Sequence, residues 1–123
     1  MQFVLVGVGG FLGACARYAV VRWLGAYGAT FPFATLFVNV LGSFVVGVFA
    51  TWIFQKTPLE GELRLAIQVG FLGALTTFST FSLETLNLLS NGQVLKAGAN
   101  IVLNLVLCLA AAWGGVMLAK ALP

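Results

Sequence analysis

Apolar residues fill four long stretches of the chain, and short polar or turn-rich segments separate them. The stretches cover residues 2–24, 33–54, 62–89 and 94–118. An α-helix needs about 20 apolar residues to cross a bilayer, and each stretch meets that length. The pattern therefore predicts an all-α membrane protein with four transmembrane helices in a single domain, residues 1–123.

The third stretch differs from the others because glycines and hydroxyl-bearing residues interrupt it. Residues 70–85 read GFLGALTTFSTFSLET. Glycine is a poor helix former, and paired threonines can satisfy the backbone groups that a broken helix frees. We therefore expect the third helix to break near Gly73–Thr77. Non-helical backbone is tolerated at membrane depth only where it faces protein or a water-filled path. We therefore predict that this stretch is the functional centre.

The composition indicates a membrane protein and leaves few side chains that could catalyse a reaction. Only 7% of the residues are charged, against about 25% in soluble domains, and the chain contains no histidine or aspartate. The two cysteines lie inside apolar stretches without metal-ligand spacing. Few groups remain for acid–base or nucleophilic chemistry, so we do not expect an enzyme. The net charge of +3 is too small and scattered to indicate nucleic-acid binding.

Basic residues near the predicted helix ends give almost no bias in orientation. Lys56, Arg64 and Lys120 lie on one side of the membrane in the predicted topology, and Arg22 and Lys96 lie on the other. A fixed orientation requires an excess of positive charge on one side. The near balance indicates insertion in both orientations, which would allow two copies to form an antiparallel homodimer.

The opening run of glycines has two interpretations. Residues 7–13 read GVGGFLG, which is similar to a dinucleotide-binding loop. That motif needs an acidic residue about 20 positions further on, and the first acid here is Glu60. Gly9 and Gly13 also form a G-x-x-x-G pair, which lets a second helix approach closely. We favour helix packing.

Neutral hydrogen-bond donors are concentrated in the third helix, and the second helix carries a polar pair on one of its faces. Aromatic ring edges carry partial positive charge, and hydroxyl and amide groups donate without a full charge. Such groups can replace water around a small anion without trapping it, which is what conduction requires. Ordinary packing is the competing interpretation. The residues concerned are Asn39, Ser43, Phe78, Ser79, Thr80, Phe81 and Ser82.

Four further polar residues each allow more than one interpretation from the sequence. Arg17 lies inside the first span, where it either reaches the interface or attracts anions into a vestibule. Glu84 is a candidate for an ion pair or for a proton or cation site. Asn100 and Asn104 are one helical turn apart, and we favour contacts between helices or between subunits for both.

Several motifs resemble the Fluc (CrcB) family of fluoride channels. The most specific is GFLGALTTFSTF at residues 70–81. GFLGACARY at residues 10–18 and TLFVNVLGSF at residues 35–44 are also similar. The resemblance covers nearly the whole chain, with the fourth helix least diagnostic.

The resemblance implies a fluoride channel that exports cytoplasmic fluoride passively across the bacterial inner membrane. It implies an antiparallel dual-topology homodimer with two pores in the lipid bilayer. Phe78, Phe81 and Asn39 would line each pore, assisted by the hydroxyls of Ser79, Thr80 and Ser82. Arg17 would serve an anion vestibule, and Glu84 matches the glutamate that follows the family motif.

The same resemblance implies a structural sodium ion at the dimer centre. Backbone carbonyls of Gly73 and Thr76 from both subunits would bind it, which agrees with the carbonyls that a broken helix frees.

A small proton-coupled multidrug exporter is the alternative function. Such a protein needs a membrane-embedded carboxylate, which it typically carries in helix one. Here the only charged residue of helix one before its end is Arg17, so Glu84 would have to act as the carboxylate.

Overall fold

A computed structural model describes residues 1–26, 30–56 and 61–123, without the side chains of residues 54–56. The predicted loops at residues 25–32 and 55–61 therefore fall partly outside the described residues, as does the side chain of Lys56. The described elements are helices: α1 (Gln2–Gly25), α2 (Phe33–Lys56), α3 (Gly61–Leu65), a π-helical segment (Ala66–Leu72), α4 (Gly73–Leu75), α5 (Phe78–Ser90) and α6 (Val94–Ala121).

Four helical stretches are long and apolar enough to cross a membrane, which confirms the predicted all-α architecture. They are Gln2–Gly25, Phe33–Ile53, Gly61–Ser90 and Val94–Ala121. The third stretch comprises α3, the π-helical segment, α4 and α5, and helical structure is interrupted at Thr76 and Thr77. The predicted break in the third helix is therefore confirmed. The helices end one to three residues beyond the predicted ends because their hydrogen bonding continues past the apolar runs.

Close glycine contacts hold the helices together in two pairs. On α1, an added Cβ at Gly9 would overlap the Ala66 carbonyl oxygen, and one at Gly13 would overlap that of Phe71. The glycine run of α1 is thus helical and packs against the third span, as the packing interpretation predicted. Gly47 of α2 and Gly115 of α6 make equally close contacts across the second pair.

Large apolar side chains cover much of the outer surface. Phe3 of α1 is 94% exposed and Leu95 of α6 is 90% exposed. A water-soluble monomer rarely shows extended apolar surface, whereas lipid tails accept it. The interior is correspondingly small and includes polar groups, because Val38 and Asn100 are the largest side chains with less than 2% exposure.

Candidate functional site

Two threonines form the break in the third span. Thr76 (φ −83°, ψ 156°) and Thr77 (φ −153°, ψ 111°) are extended, between helical residues on both sides. The Thr76 N–H still donates to the Leu72 carbonyl, at 3.2 Å. In a continuous helix the Thr77 N–H would donate to the Gly73 carbonyl. Here it donates to a side chain of α2 instead.

Asn39 binds the extended main chain through both ends of its amide. The Thr77 N–H donates to Asn39 Oδ1 at 2.8 Å. Asn39 Nδ2 donates back to the Thr77 carbonyl at 3.2 Å. The amide therefore pairs with one residue much as a neighbouring β-strand would, and it satisfies both backbone groups of Thr77. Asn39 Nδ2 also donates to Asn104 Oδ1 at 3.2 Å.

Hydroxyl groups at the start of α5 restart the helix. Thr77 is its N-cap, and its Oγ1 accepts a hydrogen bond from the Thr80 N–H at 3.2 Å. The same hydroxyl lies 2.9 Å from Thr80 Oγ1 and 3.3 Å from Ser79 Oγ. Ser82 Oγ donates to the Phe78 carbonyl one turn back, at 2.9 Å. Thr77, Ser79 and Thr80 therefore form one connected hydroxyl cluster, whereas Ser82 bonds only to the main chain of its own helix. Ser79 and Thr80 are exposed.

The two phenylalanines of the motif are in contact. Their ring centroids lie 5.2 Å apart with planes tilted by 55°. Phe81 is 6% exposed, whereas Phe78 is 73% exposed and projects from the chain. A tilted pair presents ring edges as well as faces, and the edges are the partially positive part of the ring.

A cavity of about 410 Å³ lies where α2, the break and α6 meet. It brings together Asn39 and Ser43 with both threonines of the break and both phenylalanines. Its α6 wall is mostly apolar apart from Asn104. The lining residues are Asn39, Gly42, Ser43, Val46, Thr76, Thr77, Phe78, Phe81, Asn104, Leu105, Cys108, Leu109 and Ala112.

Arg17 lies beside the break, where its Nη1 is 3.4 Å from the Thr76 carbonyl oxygen and donates to it. The side chain is half-buried. A guanidinium at this depth is costly unless protein groups satisfy it. In the structure Arg17 brings positive charge to the main chain of the break.

Glu84 binds a hydroxyl on α2. Thr35 Oγ1 donates to Glu84 Oε1 at 2.8 Å. Glu84 Oε2 is buried and has no hydrogen-bond partner among the described residues. The sequence pattern did not single out Thr35, although it lies one helical turn before Asn39 on the same face of α2.

Both asparagines of α6 make contacts between helices, which is one of the two interpretations that their spacing left open. Asn104 lines the cavity beside Asn39, and Asn100 is 1% exposed between α5 and α6. Their spacing predicted helix contacts but could not say which helix each asparagine meets. The predicted sodium ligands lie at the break, with Gly73 exposed and Thr76 half-buried.

The fold and the site define a helical membrane protein of several spans whose third span is broken beside a polar-edged cavity. Discontinuous helices of this kind build ion and substrate sites in transport proteins. The chain belongs to the family described as CrcB-like protein, Camphor Resistance (CrcB), whose model matches residues 4–116. The resemblance found in the sequence is thereby confirmed.

Relatives from several bacteria match nearly the whole of this chain. A protein named fluoride-specific ion channel FluC from Methylococcus capsulatus is 52% identical over 99% of this chain, although the match spans only 54% of that relative. Proteins of the same name from Geobacter metallireducens and Hahella chejuensis are 42% and 47% identical, over 98% and 94% of their lengths. With four spans, the protein is a multi-pass protein of the bacterial inner membrane.

Proposed function

We propose that the protein is a fluoride channel that releases fluoride from the cytoplasm down its electrochemical gradient, and not an enzyme. Weakly acidic HF enters the cell from an acidic medium and dissociates inside, and the anion leaves through the channel. The observation that carries the proposal is the polar break in the third span, held by Asn39 beside the two phenylalanine rings. The names of the bacterial relatives support fluoride as the ion.

The cavity has the chemistry that a small, strongly hydrated anion requires. Ring edges of Phe78 and Phe81, the Asn39 amide and the nearby hydroxyls are neutral donors. Fluoride can exchange its water for such donors one after another without meeting a full positive charge that would trap it. Arg17 supplies the attraction from outside, because it lies beside the break and outside the set of residues that line the cavity.

A second copy of the chain completes the pore in this proposal. In a bilayer, a single chain would leave Asn39, Thr76 and Thr77 beside a cavity open to lipid, which cannot satisfy polar groups. The 73% exposed Phe78 would likewise project into lipid tails. An antiparallel copy would cover the cavity and supply its own aromatic rings, giving two equivalent pores.

The break also fits a structural sodium ion. Hard cations bind oxygen ligands, and carbonyls released from a helix can provide them. The Gly73 carbonyl loses its helical donor because the Thr77 N–H pairs with Asn39. Gly73 and Thr76 supply only two carbonyls per chain, so we place the ion on the dimer axis, where both subunits contribute. The Thr76 carbonyl also accepts from Arg17, which holds the orientation of that carbonyl.

The test is anion efflux from liposomes that contain the purified protein, recorded with fluoride-selective and chloride-selective electrodes. We expect fast fluoride release with negligible chloride release. A folded protein that releases no fluoride would contradict the proposal. Proton-coupled export of organic cations, with Glu84 as the coupling carboxylate, would then be the function to test.

A further inference from the structure

A continuous series of hydrogen bonds connects Asn39 to α5 by way of α6. Asn39 Nδ2 donates to Asn104 Oδ1 at 3.2 Å, and Asn104 Nδ2 donates to Asn100 Oδ1 at 3.0 Å. Asn100 Nδ2 then donates to Thr85 Oγ1 at 2.9 Å. Thr85 Oγ1 donates to the Phe81 carbonyl at 2.8 Å. We call Asn104, Asn100 and Thr85 the amide relay.

Every donor in the amide relay points the same way, from Asn39 towards Phe81. Asn104 Nδ2 has a second acceptor, the Asn100 carbonyl at 2.9 Å, so both of its N–H groups face Asn100. That leaves Asn104 Oδ1 facing Asn39. Asn100 and Asn104 are 1% and 5% exposed, and a buried amide is costly unless it is hydrogen-bonded. The relay therefore has one favourable arrangement.

The amide relay and the main chain of Thr77 together fix the orientation of the Asn39 side chain. A flipped Asn39 amide would place Oδ1 against Asn104 Oδ1, so two acceptors would face each other. It would also place Nδ2 against the Thr77 N–H, so two donors would face each other. In the observed orientation the N–H side of Asn39 faces Asn104, which lines the same cavity.

We propose that Asn104 and Asn100 are positioning residues that act on fluoride permeation through Asn39. The relay holds the N–H side of Asn39 towards the cavity, and Asn104 Oδ1 occupies that N–H until an anion arrives. A fluoride ion then replaces Asn104 Oδ1 as the acceptor of this N–H. When the ion leaves, the N–H donates to Asn104 Oδ1 again. This inference rests on the proposed fluoride channel.

Losing the acceptor at position 104 removes one of the three hydrogen bonds that hold the Asn39 amide, and it leaves one Asn39 N–H without a protein acceptor before an anion arrives. An amide N–H that lacks a partner is costly, so the empty channel would spend less of its time with this N–H held towards the cavity. We expect fluoride flux to fall about tenfold, the factor that corresponds to losing one buried hydrogen bond. The acceptor oxygen, and not the size of the side chain, is the property that matters.

The experiment compares two variants of one shape, Asn104→Val and Asn104→Thr, in the liposome efflux assay. Threonine keeps an acceptor oxygen, attached one bond closer to its own main chain than Asn104 Oδ1, and valine has none. We expect Asn104→Val to lose about tenfold in fluoride flux and Asn104→Thr to retain more of the flux than Asn104→Val. When Asn39 is also replaced by serine, the two variants should have equal fluoride flux. Asn87 is exposed on α5, so Asn87→Val and Asn87→Thr serve as the matched control pair.

The outcomes separate this inference from the proposed function. Wild-type protein that releases no fluoride would overturn both. A conducting wild type with equal flux from Asn104→Val and Asn104→Thr would overturn the relay alone, as would a difference that persists in the Asn39→Ser background. Size-exclusion chromatography checks assembly. If Asn104→Val cannot be purified, Asn100→Val and Asn100→Thr carry the same comparison one bond further along the relay.

Discussion

Replacing Gly13 by alanine should separate α1 from the third span, because the two backbones are in contact there. An ideal Cβ on Gly13 would overlap the Phe71 carbonyl oxygen and lie 3.0 Å from the Phe71 Cα. Carbon atoms in favourable contact are about 3.5–4.0 Å apart. Both obstructing atoms belong to the main chain, so no side-chain rotation can relieve the overlap, and one helix must move. Gly7 lies on the same helix with nothing within 4 Å of its ideal Cβ, and it provides the control.

The comparison of the two variants isolates the steric cost. Each substitution gains about 1 kcal/mol of helix propensity, and that gain cancels in the difference. Overpacking typically costs about 1–3 kcal/mol, and the backbone contact favours the upper part of that range. Gly13→Ala should therefore be less stable than Gly7→Ala by about 2–3 kcal/mol.

Reversible unfolding of the purified protein in mixed detergent provides the assay, with the fluorescence of Trp23, Trp52 and Trp113 as the signal. We expect the unfolding midpoint of Gly13→Ala to fall well below that of Gly7→Ala. Equal midpoints would refute the inference that backbone contact at Gly13 holds the two spans together. Fluoride flux should fall with Gly13→Ala as well, because the third span would shift at its break.

Three further predictions concern the pore and the assembly. Phe81→Ile should reduce fluoride flux about tenfold or more while the protein stays assembled, because isoleucine has no aromatic edge. Unchanged flux, equal to that of the exposed control Leu83→Ile, would contradict the aromatic pore. Asn91→Lys with Gln93→Lys should force one orientation and abolish efflux, whereas serine at both positions should not; activity in the lysine variant would argue against the antiparallel dimer. Glu84→Gln keeps an acceptor for Thr35 and should leave fluoride flux within about threefold, because a passive channel needs no titrating carboxylate; lost flux would favour proton coupling.

The sequence predicts the break in the third helix because its signals are local. Gly73 and the threonine pair lie within five residues, so their weak helix propensity acts in one short stretch. The spacing of Gly9 and Gly13 on α1 likewise predicts the close approach of a second helix, which the structure shows to be the third span. Each of these features rests on residues within one helical turn.

The partners of the break are not predictable from local pattern. Asn39 and Thr77 are 38 residues apart, and the amide pairs with main-chain atoms, which leave no mark on the identity of residue 77. The spacing of Asn100 and Asn104 shows that they share a face but not that this face meets Thr85 and Asn39. The π-helical segment has no signal in its composition, although it packs closely against α1.

The π-helical segment constrains how this chain can change in evolution. The Gly73 N–H reaches back five residues to the Gln68 carbonyl, one residue more than in an α-helix. A deletion that returned this segment to α-helical winding would turn everything after it by about 100°. The threonine pair would then leave the cavity wall that it shares with Asn39. Between Leu65 and Thr76 the chain should accept changes of apolar side chain far more readily than a change of length by a single residue.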